Sequence, residues 1–274
     1  MQSIGILQGR LTPNPDGSIQ FFPKDNWEDE FRLAKQIGFD CIELLVKNDS
    51  YEENPLWSQS GAREIRYLAA QSGLVIPSVH GFYSKAENYS LILRHLVKQA
   101  AFVDARTVLI SFFNNNALKT DEDKRFACSQ IAPVLSDCEG LGVYLGIETE
   151  LKAEELLEFV ESFNHPRVGV YYDLGNMASM GVDVLAEIRL LNRRIVGVHV
   201  KDRLPNGGPT IPLGEGCVDF YGAFSALREI GYQDPLIIQG ARLPGVDDII
   251  LNRRYHIFVK YVLYEINKTK GGKA

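Results

Sequence analysis

Four short apolar runs in the second half of the chain each stop at a side chain that can bind a cation or move a proton. They end at Glu148 in "GIETE", Asp173 in "YYDLGN", His199 in "VGVHVKD" and Gln239 in "PLIIQG". Two carboxylates and an imidazole form an O,O,N donor set that suits Mn²⁺, Mg²⁺, Co²⁺, Fe²⁺ or Zn²⁺. An ion held by these side chains keeps coordination positions open, and two neighbouring oxygens of a hydroxyketone can fill them. Such an ion stabilises the enediolate that forms when a proton leaves the carbon beside the carbonyl. Gln239 can add an amide oxygen as a fourth ligand. It cannot act as a base, because an amide does not titrate at neutral pH.

Each residue also has a plainer reading. Asp173 suits a helix or turn cap, His199 a hydrogen-bonded core histidine, and Glu148 an ion pair with a nearby Lys or Arg. Three suitable ligands on successive runs favour the joint metal site. His80 ends an earlier run, in "SVHGFY", and is a candidate for substrate contact or proton transfer as well as for packing. Glu150 follows Glu148 by two and shares its side if the strand continues. Gln8 ends the first run and Arg10 follows it. Lys201, Arg203 and Arg242 surround the last runs, where a glycine-rich loop "RLPNGGPTIPLGEG" could hold a phosphate on its backbone N–H groups. Trp57, Tyr83, Phe112 and Phe113 follow strand-like runs and can wall a sugar or cover apolar surface. His95 is expected on a helix surface.

The elements that must position these groups alternate strictly. Eight apolar runs read as strands: Ile4–Leu7, Cys41–Val46, Val75–Val79, Thr107–Ile110, Val143–Ile147, Val168–Tyr172, Ile195–Val200 and Leu236–Ile238. Their near-continuous Val, Ile and Leu content is that of strands buried on both faces. Helical periodicity separates them. Asn26 is expected to cap the first helix, Gly38 and Gly73 to end the first two, and Thr120 with Asp123 to form a capping box. One helix is expected from Thr120 to about Gly140, and a last one from about Asp247 to Ile266. About eight strand–helix units in a chain near the usual barrel length of about 250 residues predict an α/β fold, a single (β/α)8 TIM barrel. No G-x-G-x-x-G follows the first run, so nothing favours a dinucleotide-binding open sheet. No linker divides the chain. One catalytic domain over residues 1–268 is expected, with a flexible basic tail at 269–274. In a barrel the strand C-termini share one mouth, which collects Gln8, Glu43, His80, Ser111, Glu148, Asp173, His199 and Gln239.

Composition narrows the function classes. Of 274 residues 45% are hydrophobic and 23% charged, as in ordinary globular domains. A net charge of -6 argues against a nucleic-acid partner, which calls for basic surface. No run is long enough to span a membrane and the N-terminus lacks signal-peptide features, so a cytoplasmic protein is expected. The 4 cysteines, Cys41, Cys128, Cys138 and Cys217, form no C-x-x-C pair and read as reduced thiols. The expected partner is a small molecule with neighbouring hydroxyl and carbonyl oxygens, and a homo-oligomer is compatible with the sequence.

Together "GIETE", "YYDLGN" and "HVKD" followed by "PLGEGCVDF" resemble the xylose-isomerase-like TIM-barrel superfamily, which contains sugar isomerases and epimerases, inosose dehydratases and the endonuclease IV group. The "HVKD" and "PLGEGCVDF" pair is most similar to the L-ribulose-5-phosphate or L-xylulose-5-phosphate 3-epimerase branch. The resemblance implies that Glu148, Asp173 and His199 are metal ligands, that Glu148 is also an acid/base group, and that Lys201 approaches the substrate or its phosphate. It also implies a second glutamate at the end of the last strand, where this chain has Gln239. Inversion at one carbon by two carboxylates is therefore in question. Glu148 can act alone in an aldose–ketose isomerisation, or His80, Glu150 or Lys201 can supply a second proton. The leading expectation is a metal-dependent isomerase or epimerase of a sugar or sugar phosphate. The alternatives are a keto-polyol dehydratase on the same metal site and a non-catalytic carbohydrate-binding barrel.

Overall fold

The computed structural model describes residues 2–15, 17–18 and 20–271. Strands β1 (Ile4–Leu7), β2 (Cys41–Leu45), β3 (Ser78–His80), β4 (Thr107–Phe112), β5 (Tyr144–Thr149), β6 (Val168–Asp173) and β7 (Ile195–Val200) lead to a hairpin of β8 (Asp202–Arg203) and β9 (Thr210–Ile211), then to β10 (Leu236–Ile238). The eight long-range strands close into a parallel barrel in the order β1-β10-β7-β6-β5-β4-β3-β2. The expected (β/α)8 barrel is the fold observed. Nearly every strand residue is buried, because helices cover the outside and side chains fill the inside.

The helices are α1 (Asp29–Ile37), α2 (Gln59–Ser72), α3 (Tyr89–Phe102), α4 (Asp121–Ile131), α5 (Leu135–Leu141), α6 (Ala153–Ser162), α7 (Leu174–Ser179), α8 (Val184–Leu191), α9 (Phe220–Glu229) and α10 (Asp248–Gly271). Helix α1 ends at Gly38 and α2 at Gly73, both in the left-handed region, and Thr120 and Asp123 form the capping box of α4. Asn26 does not cap α1. Its carbonyl instead accepts from Asp29 N in a turn ahead of the helix. The single helix expected from Thr120 to about Gly140 is two, α4 and α5, with a 3-10 turn at Ala132–Val134, where Pro133 cannot donate to the helical ladder. The third strand starts at Ser78 rather than Val75. Val75 makes only an isolated bridge to Cys41 before Pro77 interrupts the pairing. The last helix continues to Gly271, into the segment expected as a tail from 269, and residues 272–274 lie outside the described residues.

Alternation along the strands sends every second side chain into the barrel. Small residues there make room for one large ring. A Cβ on Gly197 would lie 2.1 Å from the Tyr171 ring, and one on Gly146 would lie 3.0 Å from it. Tyr171 thus fills the interior directly beneath the mouth.

The glycine-rich loop after β7 is organised by one buried carboxylate. Asp202 Oδ2 accepts from Gly214 N and Gly216 N, both at 2.9 Å, and Oδ1 from Val218 N at 3.2 Å and Arg203 N at 3.0 Å. The loop's backbone N–H groups therefore face an aspartate inside the protein. Asp202→Ala leaves these amides without their acceptor. At about 1–3 kcal/mol for an unsatisfied buried group, it should lower stability by at least about 2 kcal/mol. Chemical denaturation reads the loss, and faster trypsin cleavage after Arg203 reports the loosened loop.

Candidate active site

The strand pairings bring the chemistry-bearing residues to one end of the barrel. Asp173 is level with His199, and Ser111 with Glu148. Ile237 is level with His199, which puts Gln239 one step higher on the same face of the barrel. Glu148, Asp173 and His199 each present a donor atom, all within 4.8 Å of one another, and all three side chains are buried. His199 Nδ1 lies 3.3 Å from Glu148 Oε1 and 4.0 Å from Asp173 Oδ2.

Asp173 takes the capping role expected of it and keeps its second oxygen out of that cap. Oδ1 accepts from Asn176 N and caps the short helix α7, an element absent from the expected series. Oδ2 is buried with no hydrogen-bond partner, and so is Gln239 Oε1. Buried acceptors normally have a donor or a cation opposite them. Buried oxygens without a hydrogen-bond donor, one of them on Asp173 within 4.0 Å of His199, are features a hard divalent ion would satisfy, and the donor set fits one. Lys201 Nζ lies 3.6 Å from Asp173 Oδ2, at the edge of this group.

Beneath the site sits Glu43, fully buried in the barrel interior. One of its oxygens accepts from Ser78 and Tyr171. The other lies 2.7 Å from His199 Nε2 and 3.6 Å from His80 Nδ1. Burial pushes the Glu43 carboxyl up, but His199 and His80 outweigh it and hold the group well below the usual carboxylate range. Burial likewise pushes His199 down, and Glu43 and Glu148 then lift it to about 10. Glu148 is also lowered on balance, with burial opposed by the hydrogen bond and charge of His199 and by His80 and Lys201. Burial and the Glu43 charge raise Tyr171 well above its ordinary value, so it remains a donor. A carboxylate on Nε2 leaves Nδ1 as the nitrogen facing Glu148 and Asp173. This is the usual arrangement behind a metal-binding histidine.

The mouth is a cavity of about 570 Å³ whose lining includes His80, Glu148, Glu150, Lys201, Arg203 and Gln239. Arg203 also staples its own loop, through Gly207 O at 2.7 Å, Gly208 O at 2.8 Å and Asn176 Oδ1 at 3.0 Å. The remaining residues expected to bind substrate lie elsewhere. Gln8 uses its side-chain oxygen to accept from Leu45 N at 3.1 Å, joining β1 to β2. Arg10 and Arg242 line a separate cavity of about 100 Å³ beside the mouth. Arg242 is bound to Asp248, Gly9 O and Thr12 O, and Arg10 is lowered to about 10 by burial and by Arg242. Tyr83 and Phe113 line the mouth, whereas Phe112 is buried in β4 and Trp57 packs against Tyr51 and His95. That contact leaves His95 half-buried rather than on the surface.

Glu43, expected at a strand end in the mouth, is instead the middle residue of β2 and lies behind His199. Its signal was an acid within the apolar run "CIELLV", and only the closed barrel shows which residue it meets.

A family model described as "Xylose isomerase-like TIM barrel" matches residues 31–247. SgbU of Escherichia coli strain K12 is 27% identical over 238 residues, covering 78% of this chain and 83% of that protein. The L-ribulose-5-phosphate 3-epimerase UlaE of Salmonella paratyphi A is 26% identical over 231 residues, covering 78% of this chain and 81% of its own. Among solved structures, an L-ribulose 3-epimerase superposes with a TM-score of 0.78 at 19% identity, over 100% of this chain and 99% of that one. At that identity the superposition speaks for the fold.

Removing the imidazole should remove the metal. His199→Ala, dialysed against Mn²⁺ and measured by elemental analysis, is expected to hold none at concentrations that load the wild type. Glu43→Gln is expected to weaken Mn²⁺ binding by about 10–100-fold in calorimetry, the usual cost of losing the group behind a ligand.

Proposed function

The chain belongs to the xylose isomerase-like TIM-barrel family, and from that membership and the geometry of its mouth we propose that it is a metal-dependent isomerase or epimerase of a sugar or sugar phosphate, working through an enediolate. The names of the curated relatives support the class of reaction and a carbohydrate substrate. The observation that carries the reading is the convergence of Glu148, Asp173 and His199, whose donor atoms lie within 4.8 Å of one another at a mouth that Gln239 also lines.

Glu148, Asp173, His199 and Gln239 are the residues that would hold the ion. When bound, a divalent ion supplies Lewis-acid polarisation of a hydroxycarbonyl whose two oxygens reach it. Glu148 carries a second oxygen besides the one turned to His199, and its side chain lines the cavity. It is the group placed to take the proton from the carbon beside the carbonyl and return it. Its pKa, lowered by His199 against the opposing effect of burial, keeps it ionised. Lys201, whose ammonium lines the cavity 3.6 Å from Asp173, balances negative charge that develops on the substrate oxygens. Tyr83 and Phe113 give the cavity apolar surface against which carbon-bound hydrogens can pack.

The test is exchange with solvent. Wild-type protein with added Mn²⁺ in D₂O is expected to place deuterium on a sugar carbon next to the carbonyl, read by NMR over a panel of aldoses, ketoses and their terminal phosphates. Glu148→Gln should slow that exchange by about 100-fold or more, the range of a positioned acid–base group. Exchange at the wild-type rate in this variant would remove Glu148 from the reaction.

A further inference from the structure

The side chains that line the mouth are not distributed evenly by chemistry. Going round the barrel, one arc is formed by the ends of β10, β1 and β2. Its contributions to the cavity are Gln239 at the end of β10, Gln20 in the loop after β1 and Asn48 in the loop after β2. All three are amides, and an amide neither accepts nor releases a proton near neutral pH. The rest of the ring carries every titratable side chain that lines the cavity among the described residues: His80 on β3 and Tyr83 after it, Glu148 and Glu150 on and after β5, and Lys201 and Arg203 after β7. Lys201 is turned to Asp173, and Arg203 is held by Asn176 and the carbonyls of its own loop. Glu148 and Gln239 stand at the two ends of the sequence of four adjacent strands that would hold the ion.

This division decides what an enediolate in the mouth can do. Epimerisation at a carbon needs a proton removed from one face of the planar intermediate and another delivered to the opposite face. The arc of Gln239, Gln20 and Asn48 has no group to serve that second face. A single base on one face can still move hydrogen between neighbouring carbons, because removal and return use the same side. Resting on the metal-dependent enediolate reading above, we propose that the reaction is one-faced: Glu148 shuttles a proton between C2 and C1, and the substrate is an aldose–ketose pair rather than a pair of C3 epimers. In the aldose-to-ketose direction the C2–H bond breaks and a C1–H bond forms. The proton on O2 leaves as the one on O1 is gained, so the C2 oxygen becomes the carbonyl and the C1 oxygen a hydroxyl. Atoms and electrons balance without any redox partner. The amides of the opposite arc are left to hydrogen-bond the sugar's hydroxyl groups, for which amides serve as both donor and acceptor.

The position of the label tests this. Wild-type protein with Mn²⁺ in D₂O is presented with pentoses and hexoses in aldo and keto forms, free and terminally phosphorylated, and the products are assigned by NMR. The expected result is interconversion of an aldose with its ketose, with deuterium in only one of the two C1 positions of the ketose and none at C3. Formation of a C3 epimer labelled at C3 would overturn the one-faced reaction while leaving the enediolate reading intact. Absence of exchange at any carbon across the panel would overturn both. Gln239→Glu puts a carboxylate on the amide arc. It is expected to raise the ratio of epimer to aldose–ketose product by about 100-fold, the low end of a positioned proton-transfer group. Epimer formation by the wild type that Gln239→Glu does not increase would also overturn the proposal.

Discussion

The site depends on one carboxylate that does not line the mouth. Glu43 is fully buried in the barrel interior, where an unpaired charge would be prohibitively costly. It is tolerated because four side chains from three other strands surround it: Ser78 and His80 of β3, Tyr171 of β6 and His199 of β7. These strands come from opposite sides of the barrel, so the carboxylate ties the interior together as well as orienting His199. The geometry is conditional on glycine. Tyr171 reaches Glu43 only because Gly146 and Gly197 leave space for its ring, and a methyl group on Gly197 would occupy that space. A backbone feature low in the barrel thus bears on the hydrogen bonding of the carboxylate behind His199.

The barrel itself was legible from the sequence because its signal is repeated. Eight apolar runs separated by helical segments leave few other topologies once crossovers are right-handed. Errors in the expected elements fell at prolines and in short segments. Pro77 shortened β3 and Pro133 split a helix. Helix α7 is six residues long, too short to show periodicity, and is announced only by Asp173, whose cap could be read equally as a ligand. The two readings are not exclusive, since a carboxylate has two oxygens and the cap engages only Oδ1.

The chemistry of the site was legible where it sat at strand ends and obscure where it depended on contact across the barrel. Glu148, Asp173 and His199 are brought together because parallel strands in register end on the same side. Gln8, Arg10 and Arg242 also lie at or near strand ends, yet each is engaged by backbone or neighbouring side chains away from the mouth. Sequence position brings a residue to the rim, while its side-chain partners determine whether it faces inward. Those partners are far apart in sequence: Arg242 binds Gly9, and Glu43 binds His199.

Charge balance gives a physical reason for an amide at position 239. Glu43, Glu148 and Asp173 contribute three negative charges to a small buried region, and Lys201 contributes one positive charge at its edge. With His199 neutral and bound to it, a divalent ion would bring that region to zero. A glutamate at 239 would leave it one charge negative in a poorly solvated place, where an unbalanced charge is most expensive. The glutamine offers the same kind of oxygen as a ligand without the charge. On this view the residue that removes a base from one face of the mouth also makes room for the buried carboxylate beneath it. The electrostatics of the barrel interior and the proposed sidedness of the chemistry would then follow from the same side-chain amide.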